Sequence, residues 1–196
     1  MKNDILCKKK ILLIGDSIRE GYCEYTKEFL SDVADVRFPD WNNRYSQNVF
    51  LELAKSMSYF KNPEEIDVVV WNTGHWDQTH WDKDELSLND LGTYEKMLVR
   101  IHKRIKAVAP NAIQIFPLIS KFNEYTNIDK RKDNAEVVKY NDAAIKTLKP
   151  FGIEFIDHYE FTSKLNGNDF LDVAHLKPDA NKELGKITAD FIRKFI

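Results

Sequence analysis

Short apolar runs alternate with helix-periodic stretches five times along this chain, and that alternation constrains the fold more than any other feature. Ile11, Leu12, Leu13 and Ile14 form an unbroken run stopped by Gly15, the pattern of a strand buried on both faces. Tyr22, Tyr25, Phe29 and Val33 recur at helical spacing and predict an amphipathic helix of about three turns. Residues 36–38, closed by Pro39, predict a second strand; Val49, Leu53 and Met57, four apart, predict a second helix. Val68, Val69, Val70 and Trp71 make the clearest strand, which opens into a polar, aromatic loop over 72–89. Leu91, Tyr94, Leu98, Ile101, Ile105 and Val108 predict the longest helix, ended by Pro110. Residues 113–118 predict a fourth strand and the polar stretch 120–133 a surface loop. Val137, Asn141, Ile145 and Leu148 then mark a helix, residues 153–156 a fifth strand, and Leu184, Ile187, Phe191 and Phe195 a closing helix.

Such alternation requires right-handed crossovers and a mostly parallel sheet, so the expected fold is a three-layer α/β/α sandwich around five strands. No repeat, low-complexity tract or break in composition divides the 196 residues, and a single domain over 1–196 is expected. Ligands of open sheets bind outside the carboxyl ends of the strands. That edge carries Gly15, Asp16 and Ser17, residues 39–43, 72–77 and 117–121, with Asp172 and His175 ahead of the last helix.

Composition removes several function classes. A formal net charge of -2 offers no field to recruit nucleic acid or an anionic membrane, and the Lys-rich stretches 8–10 and 130–132 read as solvated surface. Two cysteines, Cys7 and Cys23, give neither a disulfide framework nor metal spacing, and reduced thiols are expected. The run at 11–14 is too short for a signal segment or a membrane span, so a cytoplasmic location is expected. His75, Asp77, His80 and Asp82 crowd one loop, but their spacing matches no closed ligand set; neither metal nor cofactor is expected.

The Gly15-Asp16-Ser17 turn follows the first strand and opens the first helix. A serine there has its hydroxyl at the sheet rim and its N–H at a helix N-terminus, which suits a nucleophile and an oxyanion donor together. Asp16 or Ser17 as a plain helix cap is the competing reading. Asp172 and His175 stand three residues apart, a spacing at which a carboxylate can orient an imidazole across a turn. Ordinary loop residues ahead of a helix near Pro178 would look the same.

Residues 10–17 (Lys-Ile-Leu-Leu-Ile-Gly-Asp-Ser) resemble the first block of the SGNH/GDSL hydrolases, and Asp172-Val173-Ala174-His175-Leu176 followed by Pro178 resembles their final block. The stretches beginning at Tyr140-Asn141 and Gly152-Ile153 are similar to that family's late helix and fifth strand, so the resemblance spans nearly the whole chain. It implies a flavodoxin-like three-layer fold, no metal, and hydrolysis of carboxylic esters, including O-acetyl groups on carbohydrate, through an acyl-enzyme. Ser17 is then the nucleophile, His175 the base and Asp172 its partner. The implied partner is a small-molecule or glycan ester.

The middle blocks depart from the family pattern. Residues 39–44 carry no glycine, and Asn72-Thr73-Gly74 places Asn and Gly in the reverse of the usual order. The oxyanion donors expected are the Ser17 N–H and Asn72, with the Gly74 and Asn43 N–H groups as further candidates. Trp71 reads as core. Trp76 and Trp81 read either as pocket wall or as packing under a long loop, and Arg19 and Arg44 as contacts for an anionic substrate group or as surface ion pairs. Acyl transfer to another alcohol, and a catalytically impaired carbohydrate-binding relative, remain open beside hydrolysis. A flavodoxin-like phosphate-binding domain fits poorly, because Asp16 would repel phosphate.

Overall fold

The computed structural model describes residues 8–81, 84–124 and 132–196. Five parallel strands, β1 (Lys9–Ile14), β2 (Ala34–Arg37), β3 (Val68–Trp71), β4 (Ile113–Pro117) and β5 (Glu154–Ile156), pair in the order β2-β1-β3-β4-β5. Six helices accompany them: α1 (Ser17–Phe29), α2 (Ser46–Met57), α3 (Leu91–Val108), α4 (Asn134–Leu148), α5 (His158–Ser163) and α6 (Pro178–Ile192). This is the expected α/β/α sandwich, with every described strand parallel.

Alternation of side chains divides the strands between two cores. Leu12, Ile14, Val69, Trp71 and Phe116 face α2, α3 and α4, while Ile11, Leu13, Val68, Val70 and Ile115 face the layer that holds α1 and α6. Both faces are covered, which is why β3 reads as four consecutive apolar residues rather than an alternating pattern. Helix starts follow from the sequence: Asp16, Asp90 and Asp133 each accept a backbone N–H from the first turn they cap, and Pro178 opens α6 where its missing N–H has no cost.

Helices α1 and α6 approach so closely that a Cβ on Gly185 would lie 2.6 Å from the Cβ of Tyr25 and 3.0 Å from the Tyr22 carbonyl oxygen. The Thr26 hydroxyl seals the contact by donating to the Gly185 carbonyl at 3.2 Å. This pair holds the first helix of the chain against the last.

Three expectations change. Helix α5 is absent from the periodicity reading because six residues are too few to display a period; its signal is Asp157, which caps it through the Glu160 N–H at 2.7 Å. The segment after β4 is not a solvated loop at its start. Ser120, Phe122 and Asn123 are buried, because the Asn134 side chain grips both the N–H and the carbonyl of Phe122 (2.8 and 3.1 Å) and the Asn123 N–H donates to the Val173 carbonyl at 2.8 Å. Lys132 is partly buried over the rings of Phe122 and Trp76 rather than solvated, while Cys7, Asp82, Lys130 and Arg131 lie outside the described residues. No helix among the described residues is long and apolar enough to cross a membrane.

Candidate active site

The strand order reverses direction between β1 and β3, and the crevice at such a switch point is where open sheets bind ligands. Ser17 follows β1 and Asn72 follows β3, so the two stand on either side of it.

On the β1 side, Asp16 caps α1 by accepting the Ile18 N–H at 3.0 Å, which leaves Ser17 as the first helical residue. Its hydroxyl lies 2.8 Å from His175 Nε2, across 158 residues of sequence. His175 Nδ1 lies 2.7 Å from Asp172 Oδ2, while Asp172 Oδ1 accepts the N–H groups of Ala174 and His175, both at 2.8 Å. Partial burial opposes ionisation of Asp172, but those two backbone donors and the ring together hold its carboxyl below the usual carboxylate range. The carboxylate therefore fixes the tautomer with Nδ1 protonated, and Nε2 is left to accept the Ser17 proton. His175 and Asp172 remain open to solvent, with side-chain exposures of 44% and 52%.

The β3 side is built differently. A Cβ on Gly15 would meet Asn72 Oδ1 at 1.8 Å, so only glycine lets the Asn72 side chain sit against the turn before Ser17. Burial raises the Asp16 carboxyl pKa, opposed by the nearby Asn72 amide, the Ile18 N–H and Arg19. Asp16 Oδ2 and Asn72 Oδ1 nevertheless each lack a hydrogen bond of normal geometry.

Beyond Asn72 the loop is pinned from several directions. Asp77 is fully buried and accepts from the Ser46 hydroxyl (2.6 Å), the Thr73 hydroxyl (2.7 Å) and the Asn89 amide (2.7 Å). His75 is buried with Nε2 2.8 Å from the Ser120 hydroxyl and its ring edge-on to Phe122. Burial, then the charges of Lys132 and His175, push its pKa well below the ordinary histidine value, so it stays neutral. His75 and Asp77 are thus engaged within the protein, and no group of three or more potential metal ligands occurs among the described residues.

The remaining candidates separate cleanly. Among the described residues, the Ser17 and Gly74 N–H groups have no acceptor, as an oxyanion hole requires, whereas the Asn43 N–H donates to the Gly15 carbonyl at 3.0 Å. Asn43 is a brace for the turn instead: its side chain is buried and donates to Glu52 at 2.7 Å. Arg19 is a buried brace rather than a substrate contact, with the Glu20 carboxylate 3.9 Å from its guanidinium. It is 1% exposed, and its guanidinium donates to the Pro39 and Trp41 carbonyls (2.8 and 2.6 Å), tying α1 to the loop after β2. Arg44 lies over the Trp76 ring, 5.6 Å from its centre, and Trp76 packs against the half-exposed Trp81 at 5.4 Å. Trp71 is core, wholly buried with its N–H on Gln114.

Sequence reasoning missed Ser120, Tyr94 and Asn89 as supports of the β3 loop. Tyr94 was legible only as a core position, and nothing in the local pattern pairs Ser120 with His75 or Asn89 with Asp77.

No family model matches the chain, and no curated protein matches it in sequence. Solved structures do match in shape. A lipase/acylhydrolase from Enterococcus faecalis superposes with a TM-score of 0.76 at 17% identity, covering 95% of this chain and 96% of that one. A GDSL-like lipase from Bacteroides thetaiotaomicron gives 0.73 at 16% identity, over 96% and 89% of the two chains. An acetylxylan esterase from Geobacillus stearothermophilus gives 0.70 at 16%, over 95% and 94%. The chain shares the fold of these structures along nearly its whole length.

Proposed function

We propose that this protein is a serine hydrolase of the SGNH/GDSL type that cleaves carboxylic esters, with Ser17 as nucleophile. The observation that carries the reading is the unbroken chain of hydrogen bonds from Ser17 through His175 to Asp172. Ser17 Oγ attacks the ester carbonyl as His175 Nε2 takes its proton, forming a C–O bond and a tetrahedral oxyanion. The Ser17 and Gly74 N–H groups and the Asn72 amide receive that oxyanion. Collapse expels the alcohol, which takes the proton from His175 and leaves an acyl group on Ser17. Water, deprotonated by the same imidazole, then releases the carboxylic acid and restores the enzyme. Asp172 holds the ring throughout and stabilises its cation.

The exposure of His175 and Asp172 lets water reach the base directly, as the hydrolytic branch requires; transfer to a second alcohol would use the same base. Short acyl groups on carbohydrate are the substrate class we favour, because the loop that carries Asn72 also carries the half-buried Trp76, whose indole can pack against a sugar ring once Arg44 gives way. The fold shared with an acetylxylan esterase and with lipases is compatible with ester substrates of both kinds. Incubation with p-nitrophenyl acetate and with a fluorophosphonate probe tests the proposal. Hydrolysis and labelling at Ser17 are expected, and Ser17→Ala should lose at least ~10⁴-fold in hydrolysis. Labelling at another residue, or unchanged turnover by Ser17→Ala, would overturn it.

A further inference from the structure

A buried hydroxyl from α3 holds the loop after β3, and its position has a directional consequence. Tyr94, from the first turn of α3, is 0% exposed and donates its hydroxyl hydrogen to the Thr73 carbonyl oxygen at 3.0 Å. That carbonyl belongs to the same planar peptide unit as the Gly74 N–H. Among the described residues no peptide bond is cis, and in a trans peptide the C=O and N–H point to opposite sides. Fixing the Thr73 oxygen toward α3 therefore aims the Gly74 N–H away from α3, where it meets no acceptor among the described residues.

The peptide needs such a fixture. Gly74 sits at φ +134°, a region where glycine has wide freedom, so its own backbone preference does not set the direction of its N–H. Neighbours set it: a Cβ here would meet Ile119 Cδ1 at 2.3 Å and the Tyr94 oxygen at 3.0 Å. The next peptide is held as well, since the Gly74 carbonyl accepts the Gln78 N–H at 3.1 Å. Burial keeps the Tyr94 phenol protonated far above its ordinary range, with the carboxylates of Asp77 and Asp16 adding to the effect, so it is a donor at every working pH.

We infer that Tyr94 is a positioning residue for ester hydrolysis: through the Thr73–Gly74 peptide, its hydroxyl aims the Gly74 N–H at the developing oxyanion. The inference rests on the proposed hydrolytic reading and adds to it a residue that touches no substrate. An oxyanion donor contributes only when it is aligned in the transition state, so its loss of alignment lowers kcat while leaving ground-state binding alone.

Tyr94→Phe keeps the ring and removes the hydroxyl, and Tyr140→Phe is its control. Tyr140 packs against Tyr94 at 5.1 Å and is equally buried, but its hydroxyl bonds to the Asn89 carbonyl and to Ser87, away from the Gly74 peptide. With p-nitrophenyl acetate, Tyr94→Phe should lose on the order of 10- to 100-fold in kcat at nearly constant KM. Its affinity for a boronate that mimics the tetrahedral state should fall by a similar factor. Tyr140→Phe should lower the melting temperature as much as Tyr94→Phe does, with kcat and boronate affinity retained. If both variants lose activity only in proportion to their folded fraction, the positioning role is wrong and the hydrolytic reading stands. If the unmodified protein shows no Ser17-dependent turnover, the hydrolytic reading fails and this inference falls with it.

Discussion

The two walls of the crevice are built on opposite principles. On the β1 side, Asp172 and His175 sit three residues apart in an exposed turn, and their mutual geometry is set by backbone N–H groups of that same turn. On the β3 side, residues 72–78 are almost entirely buried and are held by side chains from α2, α3, and the segments around Asn89 and Ser120. The wall that carries Asp172 and His175 is local and wet; the opposite wall is long-range and dry. A group that shuttles protons profits from solvent contact, whereas donors to an oxyanion work through fixed direction in a site that need not reorganise.

That contrast can be broken by substitution. His175→Ala should remove at least ~10⁴-fold of ester hydrolysis, roughly 5 kcal/mol of barrier, while moving stability by no more than ~0.5 kcal/mol because the side chain is solvent-facing. Parallel kinetics and urea titrations check this; a large stability loss would show that the exposed wall also supports the fold. Asp77→Ala should behave in the reverse sense. It strands the Ser46, Thr73 and Asn89 donors in the interior and should cost on the order of 3–5 kcal/mol in stability, read from the urea midpoint. An Asp77→Ala protein of ordinary stability would mean that the dry wall is not held by its polar network.

A smaller effect concerns pH. His158 is buried against Thr188 and edge-on to Tyr22, and burial lowers its pKa to about 3. Its folded value lies below the unfolded one, so between about pH 3 and 6.5 the unfolded chain binds more protons and stability rises with pH. Each such group contributes up to ~1.4 kcal/mol per pH unit within that window, and His75, also lowered by burial, acts in the same direction. Asp16 and Asp77, raised by burial, act in the opposite direction above the ordinary carboxylate range, so the slope read is the balance of the two. Urea midpoints at pH 7 and pH 5 should show the loss on acidification, and His158→Gln should reduce it. An unaltered pH slope in that variant would remove His158 from the account.

The same contrast explains what could be read from the sequence. Residues 11–14, 68–71 and 91–108 announce their elements because apolar periodicity is a local property, and all of them fold as expected. The Gly15-Asp16-Ser17 turn and the Asp172-His175 pair were legible for the same reason, each contained within a few residues. Arg19 was misread because nothing near it in sequence says that its guanidinium will find the carbonyls of Pro39 and Trp41. Asn43 was misread likewise, its N–H being drawn to a carbonyl 28 residues earlier. The pairing of Tyr94 with Thr73 and of His75 with Ser120 exists only in the folded chain. A pattern that is written across the tertiary structure leaves no periodic trace.

The glycine contact between α1 and α6 has a consequence in time as well as space. Ser17 opens one of these helices, and His175 stands just before the other. While a chain is being synthesised, the strands of its sheet can be made and paired before the imidazole exists to bond the serine. The two meet only after α6 has emerged and settled on α1, a closure between distant ends that is among the slower contacts to form. Under the proposed mechanism a nascent or unfinished copy carries Ser17 without its base, and the appearance of ester hydrolysis during refolding should report the docking of α6 rather than the growth of the sheet.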